Sequence, residues 1–371
     1  MKKQIIMARV LEFGGNNTYL KTLIRYFGEE NIILLIKRKE EQIYVSRIDP
    51  AGKIQVIYLP GLRVSVNFKK NALWYNLKEL YYLLNIFRRI VLLSAKNGFA
   101  GLTISAIDPE QYLYFLWMPF IKLTYVLHSE PLTPANHFTT LTCNTKLSRR
   151  KRIITVSKAN KSCIVAQWKI MERKAAFVEV VYNCVNKNTQ NDRGFSLNEN
   201  MQMILTMGHV DEYKNPQLWL QVARLVLAVQ KNSLFYWLGN GHQLAQYQQA
   251  VKPGENIYFT GLIDNPSSYL SNASVYYQPS LIETQGIAVL EAMSYKIPCI
   301  VSDAGGLPES VENDKSGYVI KTNDANEHAT KIINLLERKD LGKIFGENGY
   351  KRYIDLFTFE SFKKQMDEIF A

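Results

Sequence analysis

Short apolar runs alternate along the whole chain with longer stretches whose apolar residues recur every three or four positions. The runs predict strands at 4–10, 32–37, 54–59, 102–107, 124–128, 153–157 and 178–182, and again at 203–208, 234–239, 257–261, 275–278, 299–303 and 317–320. The periodic stretches predict helices at 18–27, 71–96, 158–171, 216–230, 243–251, 286–295 and 325–338. Strand and helix in alternation are the signature of a parallel α/β protein. The pattern lapses over 186–200, an Asn-rich polar stretch without apolar periodicity, which reads as a linker. Two α/β domains follow, 1–182 and 183–350, with a helical tail at 351–371. In open parallel sheets, ligands sit outside the carboxyl ends of the strands, so the loops after strands are where chemistry is sought.

Charge adds an asymmetry. The 371 residues carry a net charge of +12. Residues 1–182 hold 28 Lys and Arg against 12 Asp and Glu, a balance of +16, and residues 183–371 hold 17 against 21, a balance of −4. A basic half suits an anionic partner, or is a solvated basic face. The opening residues start like a signal peptide, but Arg9 and Glu12 break the apolar run, which favours a first strand. The longest apolar stretch, 112–121, is too short to span a bilayer. Cys143, Cys163, Cys184 and Cys299 have neither paired nor zinc-binding spacing and fit a reducing cytoplasm.

The most informative segment is 278–311. A strand ends at Pro279, a loop carries Glu283, and a helix opens at Gly286-Ile287-Ala288 and carries Glu291 before Pro298 closes it. Free N–H groups and the dipole at a helix start make an anion site, and Gly286 lets a ligand approach that backbone. Carboxylates on either side of such a site suit a diphosphate with a sugar at each end, that is, a nucleotide sugar. The same residues are also compatible with an ordinary helix start with acidic decoration.

The segment resembles the E-x7-E region of the retaining GT-B glycosyltransferases of family 4. Pro279, Ser280, Glu283, Gly286, Glu291, Ala292, Met293, Pro298, Ile300, Gly305, Gly306 and Glu309 fall in register with that family's pattern. Gln285 stands where the family has an aromatic residue, and Lys296 where it has a glycine. Further matches run along the chain. Phe13-Gly14-Gly15-Asn16 resembles the glycine loop after the first strand, and His128 ends a strand where the family places a cleft histidine. The run 181–186 resembles the hinge, with Cys184 for glycine. The run 207–215 resembles G-R-x-x-x-x-K-G, keeping Lys214 but with His209 in place of Arg. Residues 237–241 resemble the strand-end G-x-G containing Gly239, and 259–262 the loop with Gly261 and Leu262 that flanks the nucleobase. The helices of 341–370 resemble the tail that crosses back to the first domain.

The resemblance implies a GT-B fold, two Rossmann-like domains facing across a cleft. It implies transfer, with retention of configuration, of a sugar from a nucleotide-diphosphate donor, UDP being commonest, to a glycan or lipid-linked glycan of a cell-surface polysaccharide or glycolipid. Lys214, His209 and the N–H groups at Gly14-Gly15 and Gly286–Ala288 would hold the departing diphosphate. Glu283 would bind the donor sugar, Glu291 the ribose, and His128 would face the reacting sugar or the acceptor. No D-x-D occurs, so no metal is expected, and no other cofactor. The other readings are a GT-B epimerase or phosphorylase, a catalytically weak homologue acting as a glycan-binding or scaffold subunit, and nucleic-acid binding, for which there is no recognition motif.

The basic half has its own feature. Leu73, Leu77, Leu80, Leu84, Phe87 and Val91 form a stripe at helical spacing, flanked by Lys69, Lys70, Lys78, Arg88, Arg89 and Lys96 and by Trp74, Tyr75, Tyr81 and Tyr82. Arg149-Arg150-Lys151-Arg152 is a second basic cluster. The stripe alone is what a helix packed on a sheet shows. The charge and rings around it suit the surface of an anionic membrane, which would place the protein in the cytoplasm, peripheral on the inner face of the membrane.

Overall fold

The computed structural model describes residues 3–10, 15–46, 48–63, 65, 73–106, 108–131, 133–187, 195–198, 200–321 and 323–370. The chain divides into two compact units, Met1–Val181 and Tyr182–Ala371.

The first unit is built on seven strands: β1 (Lys3–Ala8), β2 (Ile32–Ile36), β3 (Gln55–Tyr58), β4 (Phe99–Ala106), β5 (Leu123–Leu127), β6 (Lys151–Thr155) and β7 (Val178–Val180). Their order is β3-β2-β1-β4-β5-β6-β7, and every neighbouring pair is parallel. β2 and β5 are buried at every residue, as strands covered by helices on both faces must be. The second unit has β8 (Gln202–Met207), β9 (Ser233–Leu238), β10 (Ile257–Gly261), β11 (Ala273–Gln278), β12 (Cys299–Ser302) and β13 (Gly317–Ile320), in the order β10-β9-β8-β11-β12-β13, again all parallel. In each sheet the order reverses beside the first strand, between β1 and β4 and between β8 and β11. Such switch points open a crevice at the carboxyl ends of the strands.

Aromatic rings fill the second core. Trp219 and Trp237 meet edge-on at 5.3 Å, and the Trp219 indole donates to Thr206 Oγ1 at 2.7 Å, so its one polar group is satisfied. The closing Phe359–Phe370 helix buries Phe362, Met366 and Ile369. All four cysteines are free thiols.

Two expectations need correction. The helix expected over 158–171 stops at Gln167, and a separate turn, Glu172–Ala175, follows. Lys169 takes a left-handed φ of 50°, and the Ile170 and Lys169 N–H groups turn back to the Val165 and Ala166 carbonyls, which closes the helix. The second correction concerns the Leu73–Asn97 helix. Its buried side is Glu79, Leu83, Ile86 and Ile90, whereas Leu73, Leu77, Leu80, Leu84 and Val91 are exposed. The stripe is therefore not the core face. Only Phe87 of that set packs inward, against Phe115 at 6.0 Å. Two apolar faces share this helix, and the sheet takes the one with fewer leucines.

Candidate functional site

At the β8/β11 switch point, two loops meet. β8 ends at Met207, and Gly208, with φ 139°, turns the chain into His209 and the short turn Glu212–Lys214. Asn215, left-handed at φ 58°, ends that turn and caps the Pro216–Val229 helix by accepting from the Leu218 N–H. β11 runs into the Glu283 loop. The Leu281 N–H donates to the Tyr213 carbonyl at 2.8 Å, and the Gly306 N–H takes the Glu283 carbonyl at 3.0 Å, so the loop is stitched on both sides.

This brings together two charges far apart in sequence. Lys214 Nζ is ion-paired with Glu283 Oε2, and the two side chains are only 12% and 13% exposed. A relay of hydrogen bonds aims the carboxylate. Gln278 Nε2 donates to Glu283 Oε2 at 2.8 Å, Gln278 Oε1 accepts from the Tyr276 hydroxyl at 2.9 Å, and that hydroxyl is anchored to the backbone of Met207. A cation and a carboxylate held this way are preorganised, and a pair so removed from water interacts more strongly than an exposed one. His209 is exposed, with Tyr213 Oη 3.4 Å from its Nδ1. Burial, then the charges of Glu283 and Asp211, push the Tyr213 hydroxyl up to about 12, so it stays a neutral donor.

Gly286 begins the Ile287–Ser294 helix in a left-handed conformation, φ 84°, and no side chain caps it. A Cβ there would lie 2.7 Å from Leu307 Cδ2. The first N–H groups of the helix, at Ile287 and Ala288, have no partner within it. Glu291 stands one turn further on. Burial alone raises its carboxyl to about 7, so near neutrality it is half protonated.

Gly239 opens the loop after β9, and Gly261 is the last residue of β10. The Gly239 N–H donates to the Gly261 carbonyl at 2.8 Å, and the Leu262 N–H donates to Asn240 Oδ1 at 3.1 Å. Asn240 thus fixes the loop expected beside the nucleobase. The motif contained it, but its type gave no hint of this task. Gly239 is needed for packing, because a Cβ would sit 2.8 Å from the Gly208 carbonyl carbon and closer still to its oxygen.

In the first unit, the β1/β4 switch point gathers a second set. Gly15 opens the Gly15–Phe27 helix after β1, and Gly14 lies outside the described residues. Asn16 Nδ2 donates to the Arg9 carbonyl at 2.6 Å, and its Oδ1 accepts from Ser105 Oγ of β4 at 3.3 Å. Ser105 Oγ lies 2.9 Å from Nε2 of His128, which follows β5, and Tyr19 meets the His128 ring edge-on at 4.3 Å. Burial lowers the His128 imidazole to about 4, so it is neutral at pH 7 and serves as a hydrogen-bonding group, not a cation. Ser105 was not among the expected residues. A serine near the end of an otherwise apolar strand was the signal for it. Glu41 lies by the end of the same strand β1, accepting from the Val10 N–H at 3.2 Å.

Comparisons with known proteins give the chain's relatives. Residues 187–352 match the family described as glycosyl transferases group 1. N-acetyl-alpha-D-glucosaminyl L-malate synthase of Bacillus anthracis is 25% identical over 204 residues, 52% of this chain and 53% of that protein. The UDP-Gal:alpha-D-GlcNAc-diphosphoundecaprenol alpha-1,3-galactosyltransferase of Escherichia coli is 25% identical over 191 residues, 50% of this chain and 48% of that one. The chain thus spans about half the length of these curated relatives. Among solved structures, a glycosyltransferase from Rickettsia africae ESF-5 superposes with a TM-score of 0.78 at 17% identity, covering 100% of this chain and 98% of that one. HepE from Anabaena in complex with UDP gives 0.75 at 15% identity, covering 99% and 98%. Most of the second unit thus matches the glycosyl transferases group 1 family, and the fold, two parallel-sheet α/β units, is shared with these glycosyltransferase structures.

Proposed function

We propose that the protein is a retaining glycosyltransferase of family 4 type, moving a sugar from a UDP-linked donor to a lipid-linked or other glycan acceptor during synthesis of a bacterial cell-surface polysaccharide or glycolipid. The observation that carries this is the largely buried Lys214–Glu283 pair beside the uncapped helix start at Gly286. When a donor diphosphate enters, its charge draws Lys214 away from Glu283. Lys214 then neutralises the departing phosphate, aided by His209, the Ile287 and Ala288 N–H groups and the helix dipole. Glu283, released, accepts from hydroxyls of the donor sugar. The leaving diphosphate takes the proton of the acceptor hydroxyl as that oxygen bonds to the anomeric carbon, so the protein's task is positioning and charge stabilisation. Gly261 and Leu262 flank the base, and neutral His128 of the first unit is assigned to the reacting sugar or the acceptor. The proposal needs no metal; the missing D-x-D supports this. The E. coli relative, named for a UDP donor and a diphosphoundecaprenol acceptor, supports the choice of substrates, and the proposal includes a cytoplasmic site for the reaction.

Thermal-shift screening against nucleotide sugars tests the donor, since a ligand of the native state raises the transition. Stabilisation by UDP-sugars over their GDP, ADP and CDP counterparts is expected, and indifference to all of them discards the proposal. Glu291 supplies a pH signature. Ribose hydroxyls donate to its ionised form, so donor binding favours deprotonation. With the carboxyl raised to about 7, the ionised fraction falls about tenfold between pH 8 and pH 6, and donor affinity is expected to fall with it. Calorimetry without acceptor measures this slope, which Glu291→Gln should flatten. His209→Arg is expected to hold or raise the turnover number, because Arg stays charged and forks onto phosphate. A large loss would assign His209 a task that Arg cannot perform.

A further inference from the structure

We infer that the outer face of the Leu73–Asn97 helix is a docking surface for an anionic membrane. The helix is anchored on the sheet by Leu83, Ile86 and Ile90, and its single acid, Glu79, is buried and paired with Arg63 at 2.5 Å. Tyr82, Phe87 and Leu93 flank this buried side and pack partly against the core, and the opposite side faces solvent. Leu73, Leu77, Leu80, Leu84 and Val91 follow one another by three, four or seven positions, one line along the helix. Trp74, Tyr81 and Leu92 border this line on one side. The exposures are large for such side chains: 80% for Trp74, 72% for Tyr81 and 59% for Leu84. A monomeric surface rarely leaves so many large apolar groups side by side without a use.

Charge selects the occupant. Beyond the aromatic border lie Lys78 and Lys96, and Arg88 interrupts the apolar arc itself; all three are exposed. The outward face therefore carries cations and, among the described residues, no anion. An apolar strip edged by Trp and Tyr and then by Lys and Arg matches the layering of a bilayer surface. Leucines enter the acyl boundary, rings sit at headgroup depth, and long basic side chains reach back to lipid phosphates. A second copy of the chain fits less well. Packing two such helices seam to seam would bring basic flanks together, with no acid at the border to pair with them. The balance of +16 over residues 1–182 adds a longer-range attraction of the same sign. The helix runs from the carboxyl ends of the strands, at Leu73, back to the start of β4, so its aromatic end lies on the edge where His128 and Gly15 sit. A lipid-borne substrate would thus be met on the correct edge.

The test uses the full chain, without donor or acceptor, so it is independent of the catalytic proposal. Cosedimentation with vesicles of phosphatidylglycerol and phosphatidylcholine is expected, with little binding to phosphatidylcholine alone and with loss of binding as salt screens the charge. Leu77→Ser with Leu84→Ser, and separately Lys78→Glu with Arg88→Glu, should each lower vesicle partition by about tenfold or more. All four positions are solvent-facing, so the thermal transition should be unchanged. Equal binding to neutral and anionic vesicles, or no binding to either, overturns the inference. So does a chain that sediments as a dimer and becomes monomeric in the Leu77→Ser, Leu84→Ser variant, since the stripe would then be a subunit interface.

Discussion

Glu283→Ala and Lys214→Ala should each lower sugar transfer by about 10²–10³-fold, the usual cost of losing one preorganised charge-stabilising group. The two substitutions fail for different reasons. Without Lys214 the leaving diphosphate loses its buried cation, and Glu283 is left near the anionic leaving group with only Gln278 as partner. Without Glu283 the cation remains, but Lys214 is no longer aimed by the pair and the donor sugar loses its carboxylate. Lys214→Ala should therefore weaken binding of the bare nucleoside diphosphate, whereas Glu283→Ala should spare it and act on turnover of the complete donor. Initial rates with each variant, beside calorimetric titration with UDP, separate the two. Near-normal turnover in either variant would remove these residues from the chemistry.

Gly239→Ala should unfold the second unit, or cost it about 4 kcal/mol or more, the range reserved for backbone collisions and similar severe defects. The glycine has φ 145°, and an added Cβ would drive into the Gly208 carbonyl, which is held in place by the Trp237 indole N–H at 2.9 Å. Gly254 provides the comparison. Its φ of 85° is as unfavourable for a side chain, but a Cβ there meets open space, so Gly254→Ala should cost only about 1–3 kcal/mol. Urea unfolding of both variants measures the difference. A Gly239→Ala chain as stable as Gly254→Ala would show that the Gly208 loop can shift, and Gly239 would revert to a purely ligand-facing role.

The fold class was legible because parallel strands buried on both faces read as nearly unbroken apolar runs, as in β2, β5, β9 and β12. Helix limits were less so. Nothing in the composition around Lys169 announces a left-handed residue, because the reversal depends on Trp168 being drawn into the core. Periodicity found the leucines of the long helix but not the side of it that meets the sheet, since 73-77-80-84 and 79-83-86-90 repeat alike. Within the site, Lys214, Glu283, Gly286 and Glu291 could be picked out one at a time from their motifs. Their pairing could not, because Lys214 and Glu283 are 69 positions apart and meet only through the switch in strand order. Ser105 and Asn240 were missed for the same reason. Each acts by holding a neighbour, and a holding residue has no motif of its own.

The segment where the second unit begins is woven into that unit, not strung ahead of it. Tyr182 donates its hydroxyl to Glu309 at 2.9 Å and its N–H to Gln365 at 3.2 Å. Gln285 Oε1, two residues from Glu283, accepts from both the N–H and the side-chain amide of Asn183, at 2.7 and 2.8 Å. Val185 is held through the Phe357 carbonyl and the Tyr353 hydroxyl. Gln285 stands where the resemblance called for an aromatic ring, and here it ties the segment to the loop of Glu283. For exchange of parts, natural or engineered, the joint is therefore asymmetric. A graft made just before Tyr182 carries the whole set of ties with the second unit and accepts a foreign first unit, whereas a graft at the Asn-rich stretch a few residues later would leave Gln285, Glu309 and Phe357 facing a stranger's backbone.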